Sequence, residues 1–151
     1  MKIKIETDKS LEKTEIIIKC KEITPDIEAI QQAVLNAVQK ADVVFYKNNQ
    51  EFYFNLDDVL FFETTDSKIQ AHTVDDFYIV KQRLYELENI LPRQFVRISK
   101  STILNVNHVY SIEKNITASS LVHFKASLKQ VYVSRSYYKD LKNRIAEIRK
   151  D

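Results

Sequence analysis

Glycine is missing from all 151 residues of this chain, and tryptophan with it. A phosphate-binding P-loop, a dinucleotide fingerprint and a nucleophile elbow each need glycine, because the backbone must approach a phosphate or turn sharply. Kinases, nucleotide switches and hydride-transfer enzymes built on those motifs are therefore poor matches to this composition. Tight turns must instead use Asn, Asp and Ser, and the candidates are Asn48-Asn49, Asp66-Ser67, Asp75-Asp76, Asn115 and Ala126-Ser127. Cysteine occurs once, as Cys20, so no internal disulfide can form, which suits a reducing cytoplasm. In an apolar strand it reads as a small buried side chain. Apolar runs are short, so nothing spans a membrane, and the first residues, MKIKIETDKS, alternate like a strand and lack a signal-peptide core.

What is present is a polarised charge. Residues 1–92 hold 11 Lys+Arg against 17 Asp+Glu, whereas residues 93–151 hold 12 against 4. The overall charge of +2 hides this division. Two patches lie in the basic part. Arg97, Ser99, Lys100 and Ser101 sit within QFVRISKSTILN, and Ser134, Arg135, Ser136 and Lys139 sit within VYVSRSYYKDLK. Lys and Arg supply charge for phosphate oxygens, and Ser hydroxyls and backbone N–H groups fix register on the same backbone. The composition, 44% hydrophobic with 8 Phe and 8 Tyr, is ample for a core.

Periodicity divides the chain in two. Lys2–Thr7 and Thr14–Cys20 read as strands, and Thr24-Pro25 opens a helix with Thr24 as N-cap. Ile27, Ile30, Val34 and Val38 give that helix one apolar stripe to about Ala41. Residues 1–42 are thus expected to form a small ββα unit with a dimerisation or regulatory role, too short to be stable alone. Residues 43–151 follow as a second domain. Strands are expected at 43–47, 50–55, 59–63, 68–73 and 77–81, then a helix over 82–90 that Pro92 stops. Beyond the basic loop, strands at 108–113, 121–125 and 130–134 precede a last helix capped by Ser134 or Ser136. Its buried stripe is Tyr138, Leu141, Ile145 and Ile148, with Lys139, Lys142, Arg144, Arg149 and Lys150 on its open side.

The order LDDVLFFET, a short strand, a helix, FVRISKSTILNVNHVYSI, then VYVSRSYYKDL resembles the LytTR DNA-binding domain of bacterial transcription regulators. The resemblance runs from about Val43 to Ile148. Phe95, Arg97, Lys100, Ser101 and Asn105 match the family pattern at the basic loop, and Ser134, Arg135 and Tyr138 match it later. Ser99 stands where the family usually has His, and Ala126-Ser127 replaces the usual Gly of the last hairpin. The resemblance implies an α+β, mostly antiparallel β fold with a C-terminal helix, gripping duplex DNA with loops. Its reading positions fall on Ser67 and Lys68, Ser99 to Ser101, and Ser134 to Ser136. Family members usually carry a phospho-accepting receiver, for which residues 1–42 are too short. Some members without a receiver look paired with a small membrane protein that restrains them, and such a partner is an expectation here.

The residues themselves weigh as follows. Lys100 reaches guanine O6 and N7 and is the candidate for direct base reading. Arg97 on an alternating strand points either toward phosphate or into an ion pair that braces the loop. Arg135 is assigned to DNA, and Ser136 serves as an N-cap whose helix end also faces a phosphate. Lys139 lies one turn from this site, on a face that solvation alone also explains, and Lys68 is surrounded by acids. Asn105 is expected to satisfy backbone groups at a turn. Phe45, Tyr46, Phe52, Tyr53, Phe54, Phe61, Phe62 and Tyr110 read as core and cross-strand pairs. His72, His108 and His123 lack ligand spacing, so neither metal nor cofactor is expected, and the adjacent acids Asp57-Asp58 and Asp75-Asp76 suit turns and caps, not catalysis. The expected function is sequence-specific double-stranded DNA binding in transcription regulation, on paired or repeated half-sites, as a homodimer or by tandem binding. A protein–protein interaction module with an incidental basic face is the alternative, and an enzyme acting on nucleic acid has no residues to support it.

Overall fold

A computed structural model describes residues 1–38 and 43–150, without the side chains of Asn36 and Val38. The expected helix end near Ala41 and the boundary at residue 42 fall outside the described residues. The chain divides into two compact units, Met1–Val34 and Leu35–Asp151. Helix α1 (Pro25–Val38), which begins in the first, starts as its sequence dictates. Thr24 Oγ1 accepts from the Ile27 N–H at 3.4 Å, and Pro25 occupies the first helical position, where a missing N–H costs nothing. The two expected strands before it do not form. Residues 2–7 and 14–20 form no helix and join no ladder, and Ile3, Ile5, Ile16, Ile17 and Ile18 are exposed. A lone two-stranded hairpin is marginal in water, and here no apolar burial rewards the pairing. Cys20, expected to be buried, is exposed.

The second unit is built on a seven-stranded antiparallel sheet and a three-stranded one. Strands β1 (Phe45–Lys47), β2 (Gln50–Phe52), β3 (Phe61–Thr65), β4 (Lys68–His72), β5 (Phe77–Val80), β6 (Phe95–Ser99) and β7 (Thr102–Asn105) form the first, in the order β2-β1-β5-β4-β3-β7-β6. Strands β8 (Val109–Glu113), β9 (Ser120–Phe124) and β10 (Gln130–Val133) form the second. Helix α2 (Leu84–Ile90) precedes β6, and α3 (Arg135–Arg149) follows β10. The glycine-free hairpin turns are built as the composition requires. Asn48-Asn49 and Asp66-Ser67 all take positive φ, between 50° and 65°, the conformation of a two-residue type I′ turn. Asn and Asp tolerate it best, and Ser67 holds it at a cost of roughly 1 kcal/mol.

The β3-β7-β6 part of the large sheet is packed on both faces. Phe62, Ile69, Ala71, Val80, Phe95 and Ile103 pack with Leu84, Leu87 and Leu91 of the α2 segment. On the other face Phe61, Val96, Ile98 and Leu104 meet Val122 and Phe124 of β9, Val131 and Val133 of β10, and Leu141 of α3. This explains the run Val59–Phe62, in which all four residues are buried. The aromatics divide. Phe45 stacks on Phe54 at 4.1 Å, and Tyr78 packs against Phe45, Phe52 and Phe54. Tyr53 and Tyr110, expected among the core and cross-strand pairs, are exposed; Tyr53 lies just past the end of β2, and Tyr110 alternates outward on β8.

Two polar seams cross this core. Asn105 is fully buried, and its Nδ2 donates to the Val59 carbonyl at 2.9 Å and to Asp57 Oδ1 at 3.2 Å, while its Oδ1 accepts from the Asn107 N–H. Burial would raise the Asp57 pKa, but donors from Asn107 and Asn105 and the nearby His108 hold it below the usual carboxylate value. The second seam ties the two sheets together. Ser127 Oγ donates to the Val74 carbonyl, and Lys129 Nζ donates to the Asp76 carbonyl at 2.6 Å and to His72 Nδ1 at 3.2 Å. Ala126-Ser127 therefore serves the last hairpin without glycine. His72 lies stacked on Phe61 at 4.3 Å, and burial and then the Lys129 charge push its pKa down to about 4. A neutral ring that accepts at Nδ1 carries its proton on Nε2, which donates to Gln70 Oε1 at 3.2 Å. The Glu63 carboxylate is 3.8 Å away, but a true ion pair needs a proton that Lys129 opposes.

Asn105→Ala leaves the Val59 carbonyl and the Asp57 carboxylate short of a donor, and should cost about 2–3 kcal/mol in urea unfolding. His72 sets a pH dependence. Its folded pKa of about 4 lies below the ordinary 6.5, so the unfolded chain binds the proton more readily. Stability should be complete above pH 6.5 and fall as pH drops toward 4, with a total loss of about 3 kcal/mol from this group. Unfolding midpoints measured from pH 7 to 4.5 should show that slope, and His72→Gln should flatten it.

Candidate nucleic-acid interface

The strand register collects the sequence's candidate residues at one end of the large sheet. Pairing of Glu63 with Thr102 and of Thr65 with Lys68 sets the β3–β4 turn beside the β6–β7 turn. The Thr64 N–H donates to the Ser101 carbonyl at 2.9 Å and fixes that neighbourhood. The Ser134 N–H donates to the Ile98 carbonyl at 2.9 Å, which brings the start of α3 to the same end. Ser67 and Lys68, Ser99 to Ser101, and Ser134 to Ser136 thus share one edge of the molecule, although the outermost pair, Ser67 and Ser136, are 69 positions apart in the sequence. Lys139 lies near the first turn of α3, exposed, beside them.

The basic turn is held from beneath. The Arg97 guanidinium donates from Nε to the Ser99 carbonyl at 2.7 Å and from Nη2 to the Lys100 carbonyl. Its Nη1 is 3.3 Å from Glu88 of α2. Of its two possible orientations, Arg97 takes the bracing one. Ser99 Oγ accepts from the Ser101 N–H at 3.2 Å and lies 3.3 Å from Ser101 Oγ. A register shift between Arg97 and Ser99 marks a bulge that lifts the turn out of the regular ladder. With its backbone tied down, Lys100 projects at the apex, exposed and engaged by no protein group among the described residues.

The start of α3 differs slightly from expectation. Ser134 is the N-cap residue, its side chain makes no capping hydrogen bond, and Ser136 lies inside the first turn. Its hydroxyl is therefore available outward, with Arg135 and Ser136 both exposed. Arg144, expected on the open side, is instead docked. Its Nη1 donates to the Arg93 carbonyl at 2.7 Å and the Phe95 carbonyl at 3.0 Å, on the outer edge of β6. Arg93 pairs in turn with Glu147. Helix α3 is thereby pinned along β6 at both ends, by Ser134 and by Arg144.

Sequence reasoning missed Glu88 and Arg144. Glu88 is one of two acids on a short helix, and only the helix's rotation on the sheet shows which one meets Arg97. Arg144 sits one residue before the apolar Ile145, the only signal that its stem could be covered. Among the described residues no cluster of three His, Cys, Asp or Glu side chains could hold a metal ion, and no helix is long and apolar enough to cross a membrane.

The model of the LytTr DNA-binding domain family matches residues 49–146. Uncharacterized HTH-type transcriptional regulators of Staphylococcus aureus are similar in sequence. That of strain NCTC 8325 is 35% identical over 121 residues, 76% of this chain and 80% of its own, and that of the bovine strain RF122 is 34% identical over the same span. Among solved structures, the LytTr DNA-binding domain of a Bacillus cereus protein described as a methyl-accepting/DNA response regulator superposes with a TM-score of 0.63 at 25% identity. It covers 68% of this chain and 95% of that one. Successive helices here are separated by strands, so no helix-turn-helix occurs among the described residues. The matched span holds the basic turn, the β3–β4 turn and most of α3, and the chain belongs to the LytTR family of DNA-binding transcription regulators.

Proposed function

We propose that this regulator reads double-stranded DNA sequence-specifically in the major groove through its three clustered loops. The observation that carries the proposal is the braced basic turn. Arg97 fixes the Ser99 and Lys100 carbonyls, so the exposed Lys100 ammonium is presented without an intramolecular competitor. Lysine can donate to guanine O6 and N7, whereas Arg135 and Lys139 are placed to neutralise phosphates. Ser99, Ser101, Ser134 and Ser136 add neutral donors that fix register, and Lys68 flanks the β3–β4 turn at the near edge. Arg97 acts as a positioning residue on this reading. Two copies bind paired half-sites, as a homodimer or in tandem, in the cytoplasm and without catalysing a reaction on the DNA. A small membrane protein that restrains the regulator belongs to the same proposal, and equal activity with and without such a protein would remove it.

Selection of bound duplexes from a random pool, with the winners titrated in salt, tests the reading directly. Lys100→Ala should lose roughly 1–3 kcal/mol of discrimination at one base position. Lys139→Ala should weaken all sequences alike and flatten the salt dependence by about one phosphate contact. Identical behaviour of the two variants on matched and mismatched sites would overturn the division into reader and anchor. Arg97→Gln separates bracing from contact. A brace lowers affinity with the slope of log affinity against log salt unchanged, whereas a lost phosphate contact reduces that slope by about 0.9.

A further inference from the structure

In the first unit the segment Thr14–Cys20, strand-like in sequence, belongs to no helix or ladder, and its isoleucines lie open. Ile16, Ile17 and Ile18 are 58%, 73% and 38% exposed. Among the described residues no backbone hydrogen bond pairs this segment with another. An unpaired, β-branched segment of this kind is a template for another strand.

The sequence of the segment specifies which strand. TEIIIKC is self-complementary when two copies run antiparallel about a two-fold axis at Ile17. Ile17 then faces Ile17 of the second copy, and Ile16 faces Ile18 of the second copy. Glu15 faces Lys19 of the second copy, twice over by symmetry, and Thr14 faces Cys20 of the second copy. Opposite charges directly across a strand pair are favourable and like charges are not. A shift of one residue sets Glu15 against Ile18, and parallel pairing in register sets Glu15 against Glu15. Only the arrangement centred on Ile17 matches both the apolar and the charged positions. Residues 2–7 carry a weaker version of the same symmetry, but their centre would oppose Lys4 to Lys4, and Lys4 is paired with Glu6 at 2.6 Å.

We infer that Thr14–Cys20 is a homodimerisation strand, which pairs antiparallel with the same segment of a second copy about a two-fold axis through Ile17. The interface is isologous, one patch meeting itself, as closed dimers require. A seven-residue ladder is small beside a standard interface of about 1,600 Å², so association in free solution is weak. Neighbouring half-sites strengthen it by raising the effective concentration of one strand for the other. That consequence rests on the proposed paired binding to DNA, but the pairing itself does not.

The test uses the full chain without DNA. In a Cys20→Ser background, Ile17→Cys should form a disulfide-linked dimer under mild oxidation, because the two sulfurs lie directly across the axis. Ile16→Cys in the same background should link far more slowly, since its opposite residue is Ile18. Glu15→Lys should slow linkage through Ile17→Cys by roughly tenfold, Lys19→Glu likewise, and the double exchange should restore it. All these positions are exposed, so the core of the second unit is untouched. Equal linkage at positions 16 and 17, no linkage at 17, or a double exchange worse than either single overturns the inference. Linkage that persists in a chain unable to select DNA leaves this inference standing and removes the DNA proposal; selective DNA binding without linkage does the reverse.

Discussion

Strand β3 opens with Phe61 and Phe62, buried on opposite faces, and that constraint organises the second unit. Phe61 belongs to one core and Phe62 to the other, and a slip of one residue would exchange them and empty both. A register pinned this firmly also fixes what lies at the strand's end. Glu63 must meet Thr102, Thr64 must meet Ser101, and the basic turn can occupy only one place relative to the β3–β4 turn. The candidate interface is thus located by hydrophobic burial some residues away from it.

Polar groups enter where the sheet has edges or seams. Asn105 closes the junction between the end of β7 and the turn at Asp57, and its amide satisfies carbonyls that neither ladder reaches. Lys129 and Ser127 join the small sheet to the β4–β5 turn. Arg144 takes up the carbonyls of Arg93 and Phe95 where the chain enters β6, the terminal strand of the large sheet. Each of these groups is buried or half-buried with its partners in place, the condition under which a buried polar group stabilises instead of costing.

Where one residue's surroundings are local, the sequence was legible. Thr24-Pro25 announced a helix start, Asn48-Asn49 and Asp66-Ser67 announced tight turns, and residues 59–63 announced a strand. The two loop clusters were visible as residue types, and Asn105 as a residue that satisfies a turn. What depended on a distant partner was not legible. Arg97 had two open orientations until Glu88 closed one of them, and Arg144 read as solvated because a hydropathy stripe does not register a guanidinium donating to a neighbouring strand. Residues 2–7 and 14–20 have the pattern of strands, but a pattern supplies only half of a ladder. Tyr53 and Tyr110 failed for a related reason: an aromatic near a sheet edge is not committed to either face.

The turns of this protein have little freedom to rearrange. Without glycine, Asn48-Asn49 and Asp66-Ser67 occupy a narrow left-handed basin, and the Lys100 turn is tethered at two carbonyls by one rigid planar group. Stiff loops lose little entropy on meeting a ligand, but they cannot adapt their shape to it. In a complex with duplex DNA the compliance must then come from the duplex. Base steps that kink easily, at positions no side chain touches, become part of what the protein distinguishes.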